Sequence, residues 1–572
     1  VPVPPRLPPL LLGLLAAPAL AQAPPPQPGV IERVAPAEPP RLGPALLPPE
    51  PARATGPGEA RRIAITEVRV EGATTLDHAA LRAPLAGLAG REVALAEIET
   101  ARLALLRAYR AAGFPYVAVA ARLAAAEGGA TLRFAVTEGV VADILLDGEI
   151  GPAARQARRF LGPLLGQRPI PAAALERALL LAGDIPGVTA SSVLRPIAGE
   201  PGALQLVVRL ARDPLSGFAS LDNRGYRLTG AGQGLLVGQL NAFTALGERT
   251  ELAILGTEGG RQSFLQATEE AFLGGSGLRL RLWAGAGRAE PGSPLAAIGY
   301  AGETRVAGLA LAYPLLRSRP ANLTLTAGLD AFESAVETSL AGSGQRQSRD
   351  AVRAMRFGVE AAAQDAWFGL APAAASTSLS LRLHRGIQAF GASDGDVGTG
   401  ARAGADFGFA RVVAEATRLQ PLFSPAEGWL VSAQGTLAGQ WSGSLLPPAE
   451  KFYLGGNRLG RGFYAGQVAG DRALAGSAEL QAGRVFEVPR QAGPLRLGLQ
   501  LYLFRDEARG WDNGAGGAGR ALASWGGGVR LQFDDRLQLD LEGVRRLTRR
   551  PEGAGVAPLD ESALFARVLL RF

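Results

Sequence analysis

The sequence predicts an α+β N-terminal half followed by an all-β transmembrane barrel of 16 antiparallel strands. Three observations carry this reading. Helix-period and strand-period segments alternate between Arg61 and Asp213; helical periodicity then stops at Pro214, and period-two alternation runs from there to Phe572. Finally, the links between the alternating segments are short and long in turn, which is how strands are joined in outer-membrane barrels.

The chain opens with Arg6 before an apolar run over 7–20, and Ala19-Leu20-Ala21 offers small residues where a signal peptidase cuts. Residues 1–21 are therefore expected to be a signal peptide, cleaved before Gln22. A membrane anchor is the alternative, but spanning helices need about 20 apolar residues. Residues 22–60 read as a Pro-rich linker, with twelve prolines between 24 and 57 removing backbone donors and favouring extended geometry.

The first globular unit, 61–138, starts with the strand "IAITEVRVEG". A short helix in 77–88 follows, then a longer one over 94–112 with Ile98, Ala101, Leu105 and Tyr109 on one face and Gly113 as its stop. The strands "YVAVAARL" and "TLRFAVTEG" complete a β-α-α-β-β order. Residues 139–213 repeat it: "VADILLDGEI", helices around 153–161 and 172–181, then "SSVLRPI" and "ALQLVVRLA".

From 214 to 572 the dyads are plain. "LRLRLW", "SLSLRLHRG" and "PLRLGLQLYLF" place Leu at every second position. Sixteen such segments are expected to start near 215, 234, 249, 262, 277, 302, 321, 351, 374, 405, 428, 474, 494, 520, 537 and 562. Links after even-numbered strands are tight, as in "GGSG" and "RSRPA"; most after odd-numbered strands are long and polar, as in "AVETSLAGSGQRQSRD". The last segment ends on Phe572, with Leu564, Ala566, Val568 and Leu570 in the same phase. Since lipid leaves no partner for an open edge, this strand must pair with the first.

Composition narrows the chemistry. There is no cysteine, and only His78 and His384, so thiolate metal sites and most triads are excluded and no metal or cofactor is expected. The net charge of +7 comes almost wholly from scattered arginines, Lys451 being the only lysine, so no nucleic-acid partner is expected. No enzyme activity is expected either.

The stretch "EKFYLGGNRLGRGFYAGQVAGDRALAGSAEL", 450–480, falls on the long-loop side between the eleventh and twelfth strands. Its aromatics favour packing and its glycines permit close approach, so a loop folded back into the lumen suits it. Because odd positions 495–503 are apolar and outward, Tyr502, Phe504 and Asp506 point inward. Arg461 can then meet Asp506 in a two-bond fork.

These features resemble a known family. The two α+β units are similar to POTRA domains in element order and in "EVRVEGATTL", "AYRAAGFPYVAV" and "VTEG". "LLLAGDIPGV", with Gly183, Asp184, Pro186 and Gly187, resembles the second POTRA of one branch of the POTRA-plus-barrel superfamily. "LGRGF" (Arg461, Gly462, Phe463) and "FRDEA" (Phe504, Asp506) look like that superfamily's loop and strand motifs, with Ala508 where it usually has Gly. With "FASLDNRGYRLTG" opening the barrel, the chain most resembles two-partner secretion transporters (TpsB, haemolysin-activator type) over 61–572. The resemblance implies POTRA domain 1 at 61–138, POTRA domain 2 at 139–213, a barrel at 214–572 with a C-terminal Phe572 signature, and an Arg461–Asp506 clasp. It further implies an outer-membrane location with periplasmic POTRA domains and a TpsA-like exoprotein recognised by its N-terminal secretion domain. Lipid contact, insertion by the barrel-assembly machinery and a monomeric state are expected too. An outer-membrane protein insertase of the same superfamily is the alternative. Many members carry a pore-filling N-terminal helix, but the longest proline-free run between 24 and 57 is 29–35, so no long plug helix is expected.

Overall fold

The computed structural model describes residues 61–572 except 294, 340–344, 370–373, 395–399, 491–492, 515–516, 518 and 554–555, together with 31, 34–36 and 42. The signal-peptide reading of 1–21 and most of the Pro-rich linker lie outside the described residues.

In the first unit, strand β1 (Arg62–Glu71) is followed by helix α1 (His78–Arg82), strand β2 (Arg91–Ala94), helix α2 (Leu95–Ala111), and strands β3 (Val117–Ala126) and β4 (Gly129–Glu138). Alternation puts Leu132, Phe134 and Val136 on one sheet face, and α2 covers them with Ile98, Leu105 and Tyr109. The sheet order is β2-β1-β4-β3, with β1 and β4 parallel. The sequence reading misses β2, because four residues carry too few periods to register. The three local signatures meet at one carboxylate: Glu138 accepts from the Thr74 N–H (2.9 Å) and hydroxyl (2.5 Å), the Thr75 N–H (3.2 Å) and the Tyr109 hydroxyl (2.9 Å).

The second unit comprises β5 (Val140–Asp147), α3 (Ala154–Leu161), α4 (Ala172–Gly183), β6 (Val188–Pro196) and β7 (Ala203–Arg212), with sheet order β5-β7-β6 and β5 parallel to β7. Its helices bury Phe160, Leu161, Leu175 and Leu181 against Leu206 and Val208.

The barrel runs β8 (Leu215–Asp222), β9 (Gln233–Asn241), β10 (Arg249–Thr257), β11 (Gln262–Phe272), β12 (Arg279–Ala289), β13 (Ala301–Arg317), β14 (Ala321–Thr338), β15 (Gln345–Asp365), β16 (Ala375–Gly386), β17 (Ala410–Phe423) and β18 (Trp429–Ser442). A short hairpin, β19 (Phe452–Leu454) and β20 (Val468–Gly470), interrupts it. It then resumes with β21 (Arg472–Val488), β22 (Leu495–Trp511), β23 (Arg520–Phe533), β24 (Leu537–Arg546) and β25 (Ser562–Arg571). Without the hairpin these are sixteen antiparallel strands in one closed barrel, as the sequence predicts. Closure pairs β25 with β8 from Arg567↔Asp222 to Arg571↔Phe218. Phe572 extends the seam: its N–H donates to the Gly217 carbonyl (3.0 Å) and its carbonyl accepts from the Gly217 N–H (2.8 Å). Leu564, Val568, Leu570 and Phe572 are exposed on the outer face while Phe565 and Leu569 are buried inside.

Two strand starts differ notably from expectation. β15 begins at 345 and not 351, because much of the polar stretch expected as a loop is ladder, with Ala335 opposite Arg349 and Val336 opposite Ser348. Above the lipid an outward side chain has no need to be apolar, so backbone pairing outlasts the hydrophobic signal. β17 begins at 410 and not 405, because Phe407 and Phe409 turn inward and are buried.

The lumen also holds a helical turn from the N-terminal segment. Ile31 and Val34 are buried in an apolar cluster with Leu235, Val237, Phe264, Phe332 and Phe407, and the Ala35 N–H donates to the Ile31 carbonyl at 2.8 Å. Both lie in the proline-free run 29–35. The expectation of no long plug helix falls mostly on residues outside the described ones.

Candidate functional site

The link between β18 and β21, residues 443–471, folds into the lumen. Its arms pair as β19–β20, Phe452 opposite Gly470. The tip is tied by the Gly455 N–H to the Leu459 carbonyl (2.7 Å) and the Gly456 N–H to the Phe463 carbonyl (3.0 Å). Farther on, the Ala465 N–H reaches the Arg224 carbonyl beside β8 (3.0 Å).

Arg461, 6% exposed, lies against β21 and β22. Asp506 receives its Nε at 3.1 Å on Oδ2, its Nη2 at 2.9 Å on Oδ1, and its backbone N–H at 2.8 Å on Oδ2. Nη2 also donates to the Ser477 hydroxyl (2.9 Å), which in turn donates to Asp506 Oδ1 (2.7 Å). Nη1 pairs with Glu479, and the guanidinium lies 3.7 Å from the centre of the Phe504 ring. A guanidinium held on an aromatic face and by carboxylates away from water is a strong attachment.

Strand register produces this wall. Ser477 stands opposite Asp506 and Glu479 opposite Phe504, so all four face the lumen together. On the next strand Gly526 stands opposite Phe504 and Gly528 opposite Tyr502. A Cβ on these glycines would come within 2.8 Å of the Phe504 ring and 2.6 Å of the Tyr502 hydroxyl. The bare backbone is what lets both rings lie flat. Beyond them the polar contacts continue: Glu479 accepts from Arg530 (2.7 Å), which lies over the Tyr502 ring (3.8 Å), and the Tyr502 hydroxyl donates to Glu542 (2.8 Å). Glu542 pairs with Arg224, which lies over Phe565. The "DNRG" segment after β8 thus joins the same inner wall.

Gly462 and Phe463 complete the tip. A Cβ on Gly462 would lie 2.5 Å from the Ser524 Cβ, and its carbonyl accepts from Arg546 Nε at 2.6 Å. Phe463 is wholly buried with Leu454, Val468, Ala508 and Leu522. Ala508, the departure from the strand motif, therefore packs its methyl under the loop. The sequence reading names Arg461, Gly462, Phe463, Phe504 and Asp506, and the structure brings all five together. It misses Ser477, Glu479, Arg530 and Arg546.

Gly183, Asp184, Pro186 and Gly187 lie elsewhere, in the turn from α4 to β6 against the near rim of the barrel. Asp184 accepts two bonds from Arg317 at the end of β13, each 2.7 Å. A Cβ on Gly187, whose φ is +70°, would lie 2.2 Å from the Asp213 carbonyl oxygen and 2.7 Å from Asn241 at the end of β9. Pro186 sits in the turn itself. Alongside, Arg177 donates to the Pro314 carbonyl (2.8 Å) and Phe160 meets Phe272 edge-on at 5.0 Å. Among the described residues no group of His, Asp and Glu is placed to hold a metal ion.

Residues 291–531 match the family model described as haemolysin secretion/activation protein ShlB/FhaC/HecB, and residues 63–139 match the POTRA domain, ShlB-type. Among solved structures, the chain is similar to CdiB from Escherichia coli at 18% identity, covering 93% of this chain and 94% of that one, with a TM-score of 0.69. It is also similar to CdiB from Acinetobacter baumannii at 16% identity, covering 98% and 96%, with a TM-score of 0.59. No curated protein sequence matches. The first domain and most of the barrel thus match models of one type, that of two-partner secretion transporters, outer-membrane barrels with periplasmic POTRA domains.

Proposed function

We propose that the protein exports a large TpsA-like exoprotein, with its POTRA domains receiving the unfolded cargo and loop 443–471 closing the pore until cargo displaces it. The observation that carries this reading is the Arg461–Asp506 pair inside the lumen, 2.9 Å at its shortest side-chain contact. A loop held there obstructs the path, and its grip is polar and reversible. Units 61–138, 139–213 and 214–572 act as POTRA 1, POTRA 2 and the translocation barrel. Cargo pairs with an open sheet edge; β6 has no outer partner among the described residues. The Asp184–Arg317 pair keeps that edge oriented under the pore. The chain works as a monomer, inserted in the lipid by the barrel-assembly machinery, and uses no nucleotide.

The test is secretion of the exoprotein by Arg461→Ala and Asp506→Ala chains at equal levels of assembled barrel. Lower secretion in both is expected; wild-type secretion in both would end the reading. Deleting 139–213 is expected to abolish retention of the cargo's N-terminal domain in a pull-down.

A further inference from the structure

The loop is held at its root as well as at its tip, with the charges reversed. Glu450, at the loop's entry, is wholly buried. Its carboxylate meets Arg356 Nη2 of β15 at 3.1 Å and Arg411 Nη2 of β17 at 2.6 Å, with His384 Nδ1 of β16 3.6 Å away. Arg356 is shared with Asp330 of β14. Three successive strands, β15, β16 and β17, thus bracket one loop carboxylate, while β14 supplies Asp330 to Arg356. The Gln440 amide of β18 donates to the carbonyls of Glu450 and Asp471, each at 3.1 Å, joining the loop's two ends. Asp471, also wholly buried, accepts from Arg402 at 2.6 and 2.9 Å and from the Asn513 N–H at 2.8 Å.

The tip's partners stand on the other side of the loop's origin, Glu479 on β21 and Asp506 on β22, with Arg546 on β24. Leaving the wall at β18, the loop therefore grips strands in both directions. Between the grips lie Gly455 and Gly456, with φ of +100° and +96°, a conformation that glycine adopts freely.

We propose that Glu450 is a second latch, holding the loop's root to Arg356 and Arg411 independently of Arg461. Releasing Arg461 swings the tip about the two glycines; clearing the lumen needs both latches to let go. This rests on the reading of 443–471 as the gate. Glu450→Gln leaves Arg356 paired with Asp330 and Arg411 with the Gln440 amide oxygen, but it takes the loop's own charge out of the cluster and so frees the root. Two independent latches contribute additively in free energy, so their effects on the open fraction multiply, and a loop still held at one end covers much of the pore.

The test is planar-bilayer conductance of the purified full chain as wild type, Glu450→Gln, Arg461→Ala, the double variant, Arg411→Gln, and Glu450→Gln with Arg411→Gln. Heat-modifiable gel migration verifies a closed barrel in each. Each single change is expected to raise the open fraction by up to about 10²-fold, and Glu450→Gln with Arg461→Ala by about the product of the two while the open state stays minor. Arg411→Gln should reproduce Glu450→Gln, and combining those two should add little. If Glu450→Gln does not assemble, Glu450→Asp, which withdraws the carboxylate by one methylene, takes its place with the same expected order. An unchanged open fraction for the Glu450 variant in both backgrounds overturns the second latch, as does Arg461→Ala alone matching the double variant. If Arg461→Ala also leaves conductance unchanged, the gate reading itself fails.

Discussion

Replacing Arg461 by alanine removes both guanidinium bonds to Asp506 (3.1 and 2.9 Å), the bond to Ser477 (2.9 Å), the pair with Glu479 and the stacking on Phe504 at 3.7 Å. Breaking a buried pair costs about 3–5 kcal/mol. Here Asp506 keeps the Ser477 hydroxyl and Glu479 keeps Arg530, each at 2.7 Å. The lower end, about 3 kcal/mol, therefore applies, and at about 1.4 kcal/mol per decade the small undocked fraction of the tip rises roughly 10²-fold. Because the native chain has no cysteine, Val468→Cys gives a single thiol at a site 1% exposed, packed beside Phe463. The assay is its labelling rate with a membrane-impermeant maleimide added from outside. An acceleration of about 10²-fold in the Arg461→Ala background is expected, with the barrel still heat-modifiable. An unchanged rate in an assembled barrel would refute the claim that this ion pair holds the tip.

Other perturbations separate the parts of the molecule. Gly462→Ala places a methyl 2.5 Å from the Ser524 Cβ and should accelerate the same labelling, with Ser524→Gly partly restoring protection. Asp184→Ala removes both bonds to Arg317 and should loosen the second α+β unit from the barrel by about 1.5–3 kcal/mol, seen as faster proteolysis near Asp213. In POTRA 1, burial pushes the Glu138 carboxyl up, but the bonds from Thr74, Tyr109 and Thr75 outweigh it and hold the group below its usual 4.5. Its stabilisation is thus complete above that pH and lost as pH falls through the depressed value. Glu138→Gln should lower the unfolding free energy at neutral pH by about 1–3 kcal/mol, and wild type and variant should converge in acid denaturation curves.

How legible these features are in the sequence follows from what lipid and sheet geometry demand. Alternating leucines such as 497–503 must face lipid, so phase and strand position can be read directly, and Asp506 falls inward by parity alone. The same parity contains a signal the reading passes over: Ser477 and Glu479, inside "AGSAEL", share the inward phase and stand opposite Asp506 and Phe504. Polar ladders above the lipid lack that constraint, which is why 335–350 reads as a loop. Inward turns such as Phe407 and Phe409 interrupt the alternation for the same reason. The Glu450 cluster is illegible along the chain, since its partners come from 330, 356, 384 and 411 and meet only once the barrel closes.

The most direct measurement stalls the exoprotein in the pore by fusing a stably folded domain to its C-terminus, then labels Val468→Cys in an otherwise wild-type chain. Protection at rest and a markedly faster rate in the stalled complex are expected. Equal rates in both states would contradict a loop that rests inside the barrel and yields to cargo.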